Sequence, residues 1–128
     1  MRKQEEKLSI ALSSYINAQY PDVVFFVDAS GVRLTIGQAI SLKKQRSKNF
    51  KIPDFWVISP NNKYHGLVLE LKREGEDPYL KDGTLSKGKH IQEQEKSLSH
   101  LRKLGYCANF ATGFDEAKIM VDEYLRYR

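Results

Sequence analysis

Residues 53–72 read Pro53-Asp54-Phe55-Trp56-Val57-Ile58-Ser59-Pro60-Asn61-Asn62-Lys63-Tyr64-His65-Gly66-Leu67-Val68-Leu69-Glu70-Leu71-Lys72. Two apolar runs, Phe55 to Ser59 and Gly66 to Lys72, flank Pro60-Asn61-Asn62-Lys63, a cluster of turn formers. The pattern predicts an antiparallel pair of strands. Successive strand residues alternate faces, so Val68, Glu70 and Lys72 share one side while Leu67, Leu69 and Leu71 take the other. Folding at the turn then returns Asp54, at the start of the first strand, to the neighbourhood of Glu70.

Outward from this pair, helical and strand periodicities alternate. Leu8, Ala11, Leu12, Tyr15 and Ile16 predict a helix from about Arg2 to Asn17, ended before Pro21. Val23 to Val27 predicts a buried strand that stops at Asp28-Ala29-Ser30-Gly31. A short helix near Gln38 to Lys44 leads into a loop. After the pair, Tyr79-Leu80-Lys81 and Thr84-Leu85 enclose Asp82-Gly83, the pattern of a small ribbon with a primed turn. Ile91, Leu98, Leu101 and Leu104 mark one face of a helix from about Lys89 to Leu104, capped by Gly105. Tyr106 to Thr112 reads as a last strand, and Asp115 as the cap of a final helix bearing Ala117, Ile119, Met120, Val121, Tyr124 and Leu125. The fold class is α/β, with helices covering a mixed sheet.

With 128 residues, 41% hydrophobic and 29% charged, the chain has the size and composition of one folded domain, residues 1–128. No apolar run approaches the roughly 18 residues of a membrane span, which excludes a membrane-embedded helix. Cys107 is the single cysteine, so an internal disulfide is ruled out and a cytoplasmic location is expected.

The net charge of +5 is local. Between Ala29 and Pro53 there is no Asp or Glu, whereas Arg33, Lys43, Lys44, Arg46, Lys48 and Lys51 are basic, and the remainder is close to neutral. Such a segment suits a polyanion such as DNA, whose phosphates release counterions when neutralised. It also suits a solvated loop that promotes solubility.

Glu70-Leu71-Lys72 carries the chemistry. An acidic residue two places before a lysine also occurs at Glu5/Lys7 and Glu116/Lys118, but those fall in helical patterns, where the two side chains diverge. Asp54 and Glu70, held a few Å apart, repel unless a proton or cation sits between them, and oxygen donors suit Mg²⁺ or Mn²⁺. An ion so held lowers the pKa of a water and polarises a phosphoryl oxygen. Lys72, flanked by carboxylates, is expected to stay charged and clamp a phosphate rather than act as a base. Gln94 interrupts the apolar stripe of Ile91, Leu98 and Leu101, and burying its amide without a partner costs roughly 1–3 kcal/mol. The same residues also fit a strand-end ion pair of Glu70 with Lys72 and a Gln94 in the exposed first turns of its helix.

Pro53-Asp54, Glu70-Leu71-Lys72 and Gln94 leading a helix that closes at Leu104-Gly105 resemble the PD-(D/E)XK nuclease superfamily. Tyr64-His65-Gly66, His90-Ile91-Gln92-Glu93-Gln94 and Gly113-Phe114-Asp115-Glu116-Ala117 extend the resemblance to the stand-alone VRR-NUC proteins of phages and prophages. It implies a restriction-endonuclease-like core: helix, three-stranded meander, helix and strand, here followed by a C-terminal helix. It implies a metal-dependent DNA endonuclease, a hydrolase acting on branched or Holliday-junction DNA in a bacterial cell or phage-infected host. By the same resemblance, Asp54, Glu70 and the main-chain carbonyl of Leu71 hold the metal, Lys72 is catalytic and Gln94 completes the site. A first-helix Glu joins the metal set in that family; Glu5 fits better than Glu6, lying three and seven positions before Leu8 and Leu12. A homodimer would suit two cuts in one junction. A DNA-binding module of the same fold without turnover is the alternative function.

Overall fold

A computed structural model of the chain describes residues 3–28 and 33–128, so Arg2 and the expected turn residues 29–31 lie outside the described residues. The elements run α1 (Lys3–Gln19), β1 (Phe25–Val27), α2 (Ile36–Lys43), β2 (Phe55–Val57), β3 (Leu67–Lys72), α3 (Lys89–Lys103), β4 (Cys107–Thr112) and α4 (Gly113–Arg126). The strands form one sheet in the order β1-β2-β3-β4; the first two pairings are antiparallel and β3–β4 is parallel. This is the mixed sheet with a meander that the sequence predicts, with α2 interposed between β1 and β2. Among the described residues no helix is long and apolar enough to cross a membrane.

Alternation along the strands separates two packed layers. Phe55, Val57, Leu67, Leu69, Leu71 and Ala111 meet Leu8, Leu12 and Ile16 of α1 and Val121, Tyr124 and Leu125 of α4. The opposite face brings Val68, Ala108 and Phe110 against Leu98 and Leu101 of α3. Central β3 is therefore buried along its whole length. Even Glu70 and Lys72 are only 5% and 8% exposed.

Gly66 leads into β3 at a point of close approach. A Cβ there would stand 2.9 Å from the Val57 carbonyl oxygen and 3.3 Å from the Tyr106 ring, and the first is sheet backbone that cannot swing away. Gly66→Ala is expected to cost about 1–3 kcal/mol, as overpacking does. Urea unfolding checks this; a midpoint close to that of the parent would mean the strands can part locally.

Four expectations are corrected. β1 is an edge strand rather than a buried one, and Phe26 is 48% exposed, because α3 packs over β3 and β4 and leaves the outer strands open. In the ribbon, the Gly83 amide donates to the Leu80 carbonyl at 2.9 Å and Gly83 has φ +85° while Lys81 and Asp82 do not have positive φ. Its tip is thus an unprimed turn followed by a left-handed glycine. Leu104 is exposed as the C-terminal cap residue of α3, followed by Gly105 at φ +98°. Asp115 does not cap α4: Thr112 occupies the cap position and Asp115 lies in the first turn, where the helix dipole favours it.

Candidate metal and nucleic-acid site

The β1–β2–β3 register continues one step past the end of β2. Phe55 lies opposite Val27 and Leu69, so Asp54 lies between Asp28 and Glu70, all three directed to the face that α3 covers. The Asp28 amide donates to the Asp54 carbonyl at 2.7 Å, and Asp54 Oδ2 accepts the Leu71 amide at 3.0 Å. The Asp54 side chain is thus held over the end of β3 by main chain. In an extended strand the N–H and C=O of one residue point the same way, so the Leu71 carbonyl opens on the Asp54 side as well.

Burial is the largest influence on Glu70 and pushes its carboxyl well above the usual carboxylate range. Hydrogen bonding to Asp54 and the Asp54 charge push the same way, while the charges of Lys72 and Lys51 oppose them. Two carboxyls this close, one of them buried and the other half-buried, need a proton or a cation between them. Lys72 projects from the same side of β3, its ammonium 6.0 Å from the centre of the Phe110 ring.

Gln94 faces this layer from α3, one turn before the buried Leu98. It is 5% exposed, as the interrupted apolar stripe predicted, and its Oε1 accepts no hydrogen bond. A buried acceptor in that state awaits a donor the chain does not supply. Among the described residues no three His, Cys, Asp or Glu side chains are grouped so that they alone could hold a metal ion. The donors present, two carboxyls and a strand carbonyl, fit a hard cation that keeps water or phosphate oxygens in its remaining positions, as Mg²⁺ does.

A solved structure described as a "VRR_NUC domain protein" superposes on this chain with a TM-score of 0.65, covering 97% of this chain and 89% of that one at 18% identity. The chain has the VRR-NUC fold. No family model matches the sequence, and no curated protein matches it either. In this VRR-NUC fold the meander supplies Asp54, Glu70, Leu71 and Lys72, and the helix crossing over to β4 supplies Gln94.

Glu5 lies in the first turn of α1, and among the described residues it makes no group of three with Asp54 and Glu70 that could hold a metal ion. α1 covers the Leu67, Leu69 and Leu71 face of the VRR-NUC sheet, whereas Asp54 and Glu70 project from the other. The first turn of α1 meets the C-terminal end of β3, where Gln4 Oε1 accepts from Arg73 at 2.8 Å.

The basic residues divide into three groups. Lys43, Lys44 and Lys48 are exposed and line an open cleft of about 1040 Å³ between α2 and α3; Arg33 is exposed outside that lining. Arg46 is spent internally, its guanidinium 2.6 Å from Asp28 with the two side chains 18% and 8% exposed. Removing it by Arg46→Ala should cost about 1–3 kcal/mol, because Asp28 loses its cation in a largely buried place. Thermal unfolding measures this, and an unchanged midpoint would show that water replaces the guanidinium. Lys51 is half-buried at the rim: its ammonium lies 2.6 Å from His90 Nδ1, its amide donates to Ser97 Oγ at 3.0 Å, and its charge acts on Glu70. Sequence reasoning missed both Asp28 and this placement of Lys51. One signal was present: Asp28 closes the first strand run as Asp54 opens the second.

Proposed function

We propose that this protein is a divalent-cation-dependent endonuclease that hydrolyses phosphodiester bonds in DNA, with branched or junction DNA as its natural target. The observation that carries this reading is the buried Glu70 carboxyl held against the half-buried Asp54, beside the buried Lys72. A purely structural role does not call for it, since apolar residues of similar volume usually stabilise a core as well or better.

Asp54, Glu70 and the Leu71 carbonyl would hold Mg²⁺ or Mn²⁺, which when bound offsets the carboxylate charge and polarises the phosphoryl group. The Lys72 ammonium stabilises the negative charge that grows on the phosphate as water attacks. Gln94 Oε1 accepts a proton-bearing donor at the site and so orients the attacking water. Lys51 holds the incoming phosphate at the rim, while Lys43, Lys44 and Lys48 grip backbone phosphates without reading bases. The VRR-NUC fold and the localised positive charge both support DNA as the substrate.

Cleavage of a four-way junction and of its linear arms, in Mg²⁺, Mn²⁺ or EDTA, tests the proposal. Cutting is expected with either cation and not in EDTA, faster on the junction. Salt-dependent DNA binding without Mn²⁺ uptake would replace the enzyme by a non-catalytic binding module. Paired cuts would require two chains per junction, which light scattering of the complex should register.

A further inference from the structure

On the same sheet face as the carboxyls lies a second constellation that the hydrolysis does not use. Phe26 and Trp56 are cross-strand partners with ring centres 5.9 Å and planes 8° apart. Tyr106 meets Trp56 edge-on at 6.4 Å, and the Trp56 indole N–H is spent on the Pro53 carbonyl at 2.9 Å. The indole is thereby held rigid, and what remains for a ligand is its π surface. A cleft of about 660 Å³ opens onto Trp56 between residues 47–50 and α3. Phe50 and Tyr106 line it together with Lys48, Lys96, His100 and Lys103, and its lining contains no Asp or Glu.

Aromatic rings interleaved with cations, free of carboxylates, match a chain that is anionic along its backbone and carries flat faces able to stack. A duplex keeps those faces covered by its own stacking and offers mainly phosphates and groove edges. An unpaired strand exposes both. Trp56 stands two residues from Asp54, about 7 Å along the strand and on the same side. That is a span one nucleotide can bridge. The cleft also runs, through Lys48, Phe50 and Lys96, into the larger basic cleft that includes Lys51.

We propose that this cleft, together with the exposed Phe26 ring that adjoins Trp56 outside it, binds an unpaired DNA strand, such as the opened arm at a branch, by stacking bases on Trp56 and Phe26 and pairing phosphates with Lys48, Lys96 and Lys103. The next phosphate is thereby delivered to Asp54 and Glu70. Only the delivery rests on the nuclease reading; the binding needs no cation.

Trp56 is the single tryptophan and reports on its own site. In EDTA, a twelve-nucleotide oligothymidylate should quench its fluorescence and bind about tenfold tighter than a GC hairpin of equal charge. Phe26→Ala, at the exposed edge strand, and Lys103→Ala, at the exposed end of α3, should each weaken oligothymidylate binding on the order of fivefold. Hairpin affinity and Mn²⁺ uptake should stay unchanged in the Phe26 variant. Equal affinity for hairpin and single strand, or quenching indifferent to both substitutions, would overturn the proposal. Failure of the nuclease reading has a different signature: no cleavage or Mn²⁺ uptake while quenching by the oligonucleotide persists.

Discussion

Lys72→Met should lower the single-turnover cleavage rate by roughly 10²–10³-fold, the usual effect of removing one preorganised charge from a reacting centre, while Mn²⁺ still binds. The substitution is chosen because Lys72 is 8% exposed, so an apolar side chain of similar length fills its place. Because the change also takes a cation away from the buried Glu70, it carries some cost to the fold, and retained Mn²⁺ uptake together with a thermal melt shows that lost cleavage is not lost structure. Asp54→Asn and Glu70→Gln should behave differently. Each removes a charged oxygen donor, and both calorimetric Mn²⁺ binding and cleavage should disappear. The contrast separates an electrostatic clamp from a cation ligand. Cleavage at the parent rate in the Lys72 variant would remove that residue from the chemistry, and loss of cation binding there would make it part of the metal site.

The second large effect concerns pH. Burial and the neighbouring Asp54 raise the Glu70 carboxyl well above the value near 4.5 that it has in an unfolded chain. Without a cation, the native state therefore keeps a proton that the unfolded state has released once pH exceeds that value. Where the folded state binds the extra proton, stability falls as pH rises, by about 1.4 kcal/mol per unit for a full proton difference. This contribution is complete below about pH 4.5 and is lost progressively up to the raised folded value. In EDTA the melting temperature should thus drop between pH 6 and pH 8, on the order of 4 °C for each kcal/mol in a chain of this size. Glu70→Gln, neutral in both states, should flatten that slope and melt higher at pH 8. Saturating Mn²⁺ should flatten it as well, because the cation replaces the proton, and calorimetry in buffers of different ionisation enthalpy should detect the proton released. A metal-free parent whose stability is level across this range would mean that the two carboxyls stand apart and charged.

The candidate site was legible in the sequence to the extent that it depends on one hairpin. Asp54 and Glu70 converge because a turn at Pro60 to Lys63 joins two alternating runs, and the observed pairing of Phe55 with Leu69 is what such a turn produces. Gln94 was legible for another reason: an amide inside an apolar helical stripe is buried whatever the stripe packs against. The ribbon tip was misread because Asp-Gly serves both primed turns and turns that end in a left-handed glycine, and only backbone angles separate them.

Local periodicity by itself determined the helix and strand order, the two faces of β3 and the meeting of Asp54 with Glu70, since pleat and helix repeats are properties of the chain alone. Tertiary structure decided the rest. α1 lies on the side of the sheet opposite the carboxyl pair, Arg46 is consumed by Asp28, Lys51 comes close enough for its charge to act on Glu70, and Phe26 is left open to solvent. Each of these depends on which helix covers which face and how far it reaches, and no repeat within a single element contains that information.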